Sequence, residues 1–133
     1  MERIEGENVT RKKSIKWKVV LLIIGLIISL VGTSILQMST FEKQASPREI
    51  SPQTRKTVVF YRDDCPDCQS VFPLLYYHNL FKKDLIFVNM NQPLNRRYIR
   101  TYNLKSVPTI VKKNRQYSGT DKEKIRRFLD NDF

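Results

Sequence analysis

The sequence predicts an α/β domain with the element order β-α-β-α-β-β-α, preceded by one N-terminal transmembrane helix. Three observations carry that expectation. Val19 to Leu36 is a run of 18 residues without a charge, and the uncharged stretch extends to Phe41. Beyond residue 56, short runs rich in β-branched and aromatic residues alternate with longer stretches of helical period. The chain's two cysteines fall together as Cys65-Pro66-Asp67-Cys68, directly after the strand-like run Thr57-Val58-Val59-Phe60-Tyr61.

The elements follow in order. Residues 1–18 form a basic N-terminus in which Arg11, Lys12, Lys13, Lys16 and Lys18 flank Trp17. Residues 19–41 are read as a membrane anchor, because at about 1.5 Å per residue such a helix spans a hydrocarbon core of about 30 Å. The basic flank places the N-terminus in the cytoplasm and the remainder of the chain outside, where disulfides persist. A cleaved signal peptide is the competing reading. The run exceeds the usual apolar length of about 7–15 residues and no A-x-A site follows, so an uncleaved anchor is favoured. No cysteine near the end of the run supports a lipoprotein.

Residues 42–55 change to Lys, Gln, Ser, Pro, Glu and Thr, with Pro47 and Pro52 opposing regular structure, and read as a flexible tether that lets the domain reorient. Residues 56–133 form the domain. Thr57–Tyr61 opens it as a strand. Val71, Leu74, Leu75, Leu80 and Phe81 give the following helix an apolar face. Leu85-Ile86-Phe87-Val88-Asn89-Met90 is apolar enough to be a parallel strand buried on both faces. A second helix carries Arg96, Arg97 and Arg100. Thr109-Ile110-Val111 is a third strand, and Lys113-Asn114-Arg115 turns into a fourth. Thr120 or Asp121 caps a last helix that packs through Ile125, Phe128 and Leu129.

Cysteines at i and i+3 on a first helical turn share one face within disulfide reach. Cys65 then meets the positive end of the helix, where unpaired N–H groups and the macrodipole favour a thiolate. Cys68, one turn deeper, is the resolving thiol that attacks a mixed disulfide formed on Cys65. A zinc site would need four ligands, and His78 is the only further soft candidate, so no metal or organic cofactor is expected. A structural staple across two intervening residues would constrain little of the unfolded chain. His78 is some ten residues past Cys68, about 15 Å along a helix, and reads as a surface or helix-end residue. Tyr76 and Tyr77 read as packing with an exposed edge.

From about residue 54 onward the chain resembles the thioredoxin family. The likeness rests on Cys65-Pro66-Asp67-Cys68, on Pro73 five residues past the second cysteine, on Tyr102-Asn103-Leu104-Lys105-Ser106-Val107-Pro108-Thr109, and on Gly119 before the last helix. The resemblance implies a cis peptide bond at Pro108, facing the cysteine pair. It implies that the backbone of Val107 pairs with substrate chain. Two positions depart from the family pattern. Asp64 stands where many thioredoxins carry Trp, and Val59 where they carry a buried proton-relaying Asp, which argues against a fast general reductase.

Asp63, Asp64 and Asp67 surround the nucleophile, and Asp64, Pro66 and Asp67 are read as modulating its pKa. Like charge disfavours a thiolate, which points to a potential nearer thioredoxin's, about −270 mV, than to the strongly oxidising end. Solvation of these aspartates and partial neutralisation by Arg62 is the blander alternative. After residue 41, 18 Lys and Arg oppose 10 Asp and Glu. No aromatic-basic motif accompanies that charge, so nucleic acid is not the expected partner. A solvated surface near anionic lipid or cell-wall polymer suits it better.

The expectation is thus a single-pass thiol-disulfide oxidoreductase of the cell membrane with an extracytoplasmic domain. It acts on protein or peptide thiols and disulfides and needs a separate electron donor or acceptor. Short anchored proteins of this shape are similar to those of Gram-positive bacteria, including accessory factors for disulfide-containing exported peptides such as bacteriocins. The alternative is a non-catalytic docking component of a secretion or conjugation complex.

Overall fold

The computed structural model describes residues 3–44 and 46–130. Residues 1–2 of the basic N-terminus, the side chains of residues 3–14, Ala45 in the tether and residues 131–133 of the domain lie outside the described residues. The chain divides into two compact units, Met1–Gln37 and Met38–Phe133.

Helix α1 runs Arg3–Glu42, and within it Ile15–Glu42 is long and apolar enough to cross a membrane. Leu22 and Leu36 expose 73% and 68% of their surface. Such a row of uncovered aliphatic side chains is unfavourable in water, whereas a bilayer accepts it because a helix closes its own backbone hydrogen bonds. A hydroxyl inside the run follows the same rule: Thr33 Oγ1 donates back to the carbonyls of Ser29 and Leu30, at 3.0 and 2.9 Å.

The second unit begins with the last turn of α1. Met38 and Phe41 are half-buried against its core, and the Phe41 ring lies 5.3 Å from Phe87, 5.5 Å from Tyr76 and 6.3 Å from Phe72. The anchor expected over 19–41 therefore gives up its end to the folded unit. Edge-to-face ring pairs add attraction that aliphatic lipid cannot supply.

Four strands follow: β1 Thr57–Tyr61, β2 Leu85–Asn89, β3 Thr109–Lys112 and β4 Arg115–Ser118. They form one mixed sheet in the order β2-β1-β3-β4. β2 runs parallel to β1, with Thr57 opposite Leu85 and Tyr61 opposite Asn89; β3 runs antiparallel to β1, and β4 to β3. Helices α2 (Pro66–Lys82), α3 (Tyr98–Thr101, led by a 3-10 turn over Pro93–Arg97) and α4 (Lys122–Asp130) complete the unit.

Every residue of β1 is buried, as expected of a central strand. Its alternation assigns two cores. Val59 and Tyr61 face a cluster built with Cys68, Val71, Phe72 and Leu75 of α2 and with Ile125, Phe128 and Leu129 of α4. Val58 and Phe60 face a second cluster with Val88, Met90, Val111 and Tyr98.

Leu80 and Phe81 do not join the α2 core face; they are 50% and 85% exposed. The buried stripe 68-71-72-75 fixes the helix's rotation, and at about 100° per residue positions 80 and 81 fall about 120° and 140° from Cys68. His78 and Asn79 close this end instead: His78 Nε2 lies 3.1 Å from Asp84 Oδ1, and Asn79 Oδ1 accepts from the Leu85 amide. Asp121 caps α4, its Oδ1 accepting from the amides of Glu123 and Lys124.

The segment read as a reorienting tether is strapped down. The Tyr98 hydroxyl donates to the Arg48 carbonyl at 2.8 Å and accepts from the Ile50 amide at 3.0 Å. Asn95, fully buried, accepts from the Arg48 amide and donates to the carbonyls of Ser46 and Asn89. Ile50 packs on the second core. Unsatisfied polar groups this deep are costly, so Asn95 and Tyr98 hold the strap in place.

Candidate functional site

The site begins where β1 ends. Tyr61 is the last buried strand residue, Arg62-Asp63-Asp64 turns the chain, and Cys65 becomes the N-cap of α2 with φ −102° and ψ 116°. Pro66 occupies the first helical turn, where a missing N–H costs nothing and a fixed φ suits the helix. The Cys65 sulfur accepts from the Cys68 amide at 3.4 Å, doing what an N-cap oxygen does elsewhere. The nucleophile expected at a helix's positive end is thus held there by the helix's own N–H.

Cys68 is 1% exposed and Cys65 half-buried, and both thiols are unbonded. Burial pushes the Cys68 thiol up to about 12 against the Arg62 amide, which donates to Cys68 Sγ at 3.5 Å and lowers it; the Cys65 sulfur and Asp67 add smaller upward contributions. The two sulfurs are therefore unequal in access, and the buried one holds its proton more tightly than a free thiol.

The aspartates differ from one another. Asp64 forms an ion pair with Arg62 at 2.7 Å and accepts from Asn91, and these partners hold its carboxyl below the usual range. Burial raises the Asp63 carboxyl, but the side-chain amides of Asn89 and Asn91 outweigh it and bring it below its ordinary value. Asp67 sits exposed in the first turn of α2. Two of the three charges thus have partners, which is the blander alternative for Asp64, and Arg62 provides it.

Val107–Pro108 is a cis peptide bond, and Pro108 is buried. Val107 packs against both cores, and Cys65 packs against one of the two. The Pro108 carbonyl accepts from the Gly119 amide at 3.2 Å. Gly119 has φ +139°, and a Cβ there would stand 3.0 Å from the Tyr117 hydroxyl, so both backbone and space require glycine. Thr109 Oγ1 reaches the Ser106 carbonyl and the Ser118 hydroxyl, fixing the loop from its other side.

Sequence reasoning missed the polar ring beneath the cysteines. Asn89 Nδ2 donates to Asp63 Oδ1 at 3.0 Å, Asn91 Nδ2 reaches Asp63 and Asp64, and the Tyr61 hydroxyl donates to the Glu42 carbonyl. Burial, before any neighbouring charge, raises the Tyr61 phenol. One signal was available: Asn89 interrupts an otherwise apolar strand. Among the described residues, no group of three or more His, Cys, Asp or Glu could hold a metal ion.

No protein-family model and no curated protein matches the chain.

Proposed function

We propose that the chain is a membrane-anchored, thioredoxin-like thiol-disulfide oxidoreductase that exchanges disulfides with exported proteins or peptides. The observation that carries this reading is the contact between the Cys65 sulfur and the Cys68 amide. It sets one accessible sulfur at a helix N-terminus with a buried, proton-retaining sulfur one turn behind it, the inequality that ordered exchange requires.

The Cys65 thiolate attacks one sulfur of a partner disulfide, forming a mixed disulfide and expelling the partner's other sulfur as a thiolate that takes up a proton. Cys68 then loses its proton and attacks Cys65 Sγ. The Cys65–Cys68 bond forms, the second partner thiol leaves, and two electrons have passed to the partner; run backward, the same steps oxidise a dithiol. The backbone of Val107 is the place for substrate chain, and α1 keeps the reaction at the membrane with its domain outside.

The test is a Cys68→Ser variant of the full chain, which retains the mixed disulfide. Recovery of disulfide-linked, reductant-sensitive adducts with exported proteins, lost when Cys65 is also changed to Ser, is the expected result. Unaltered biological activity of the Cys65→Ser, Cys68→Ser double variant rejects the redox role in favour of a docking component.

A further inference from the structure

A cavity of about 490 Å³, reached from the cysteine pair through Arg62, is lined by the apolar Met90, Ile99, Leu104 and Val107 and by the cations Arg62, Arg96 and Lys105. No acidic side chain lines it. Arg62 is spent on Asp64, and Arg96 Nε reaches only the Met90 carbonyl, at 3.4 Å. Neither Arg96 nor Lys105 forms an ion pair among the described residues, in contrast to Arg97, which pairs with Glu49. Two cations without an ion-pair partner thus share one lining with apolar side chains.

We infer that this cavity selects, among cysteine-containing peptides, those that carry an acidic residue next to an apolar one beside the reacting cysteine. The inference rests on the thiol-exchange reading and names its substrate class. Position links it to the chemistry: Val107 lines the cavity and packs on the same cluster as Cys65, and Arg62, also in the lining, donates its amide to Cys68 Sγ. A peptide joined to Cys65 through sulfur therefore has its neighbouring side chains within reach of the cavity. The apolar side chain meets the apolar lining, and the carboxylate meets Arg96 and Lys105, a partly desolvated setting where opposite charges favour one partner over another. The lining contains no aromatic ring on which a base could stack, which disfavours single-stranded nucleic acid as the occupant.

The experiment uses the full reduced chain in detergent micelles and three disulfide probes. Two are the peptides Glu-Leu-Cys and Lys-Leu-Cys, each joined through its cysteine sulfur to thionitrobenzoate. Attack by the Cys65 thiolate forms the Cys65–peptide disulfide and expels the coloured thionitrobenzoate anion, so the rate is read directly. The third is bis(2-hydroxyethyl) disulfide, which is uncharged and reads the thiol chemistry alone. The Glu peptide should react about tenfold faster than the Lys peptide at low salt. Arg96→Glu with Lys105→Glu should invert that ratio. Lys56→Glu with Lys122→Glu changes the net charge equally at residues that do not line the cavity, and should leave the ratio in place. Equal rates for the two peptides, or equal loss of preference in both double variants, overturns the cavity assignment while leaving thiol exchange standing. Failure of all three probes to react overturns both.

Discussion

The two faces of the sheet are organised on different principles. One is closed by α2 and α4 through stacked rings and aliphatic side chains, with Phe72 touching Phe41, Tyr61, Tyr76 and Phe87. The other is closed by a short helix and an irregular strap, held by Asn95 and Tyr98 through partners 47 to 50 residues away. The difference teaches where tolerance lies. An apolar face absorbs volume-conserving exchanges and fails when a ring is deleted, whereas a polar clamp loses bonds outright when even an isosteric partner goes. The cysteines belong to the first face, so their setting is as robust as the ring cluster beneath them.

The largest expected effect attacks the chemistry on the first face. Cys65→Ser should reduce thiol exchange to background, whereas Cys68→Ser should still form the first mixed disulfide; release of thionitrobenzoate on a stopped-flow trace distinguishes the two. Next comes packing on the same face. Phe72→Ala should cost about 3–5 kcal/mol in a denaturant titration, and a loss below about 1 kcal/mol would show that the rings do not hold this face.

On the second face, Asn95→Ala strands the Arg48 amide and should cost about 2–3 kcal/mol, with proteolysis newly appearing between residues 46 and 56. Tyr98→Phe removes one hydroxyl from the same strap and should cost about 1 kcal/mol. Were Asn95→Ala to cost no more than Tyr98→Phe, the contrast between the faces would fail.

The smallest effect sharpens the contrast between the two thiols. With burial raising its thiol well above the ordinary value, Cys68 keeps its proton at pH 8, so iodoacetamide should label Cys65 and spare Cys68 until the protein unfolds. The stability sign follows from proton counting. The folded chain keeps the Cys68 proton between the ordinary value of 9.0 and about 12 while the unfolded chain releases it. The contribution is therefore complete below pH 9 and is lost as pH rises toward 12. Reduced protein should lose stability over that interval more steeply than Cys68→Ala, as measured by denaturation midpoints.

Much of the fold was legible. Short β-branched runs, the apolar positions Val71 and Leu75 of the first domain helix and Gly119 depend on neighbours within a few residues, and local periodicity reports such choices. Leu80 and Phe81 misled because apolar character was read without the rotation that the preceding stripe imposes. Phe41 misled because an uncharged residue at the end of an apolar run suits lipid and protein core equally well.

What the sequence determined by itself was the membrane-length apolar helix, the order of strands and helices, and the three-residue spacing that puts Cys65 and Cys68 on one helical turn. These are short-range matters of length, period and cap chemistry. The tertiary structure alone decided that Met38 and Phe41 join the folded core, that Ser46–Ile50 is bound by Asn95 and Tyr98, that Asn89 and Asn91 partner Asp63, and that Arg62, Arg96 and Lys105 share one cavity. Each joins residues some 26 to 50 positions apart or gathers several elements into one wall. The physical reason is that closing such distances depends on burying the whole sheet at once, and no local pattern records which polar partners that closure brings together.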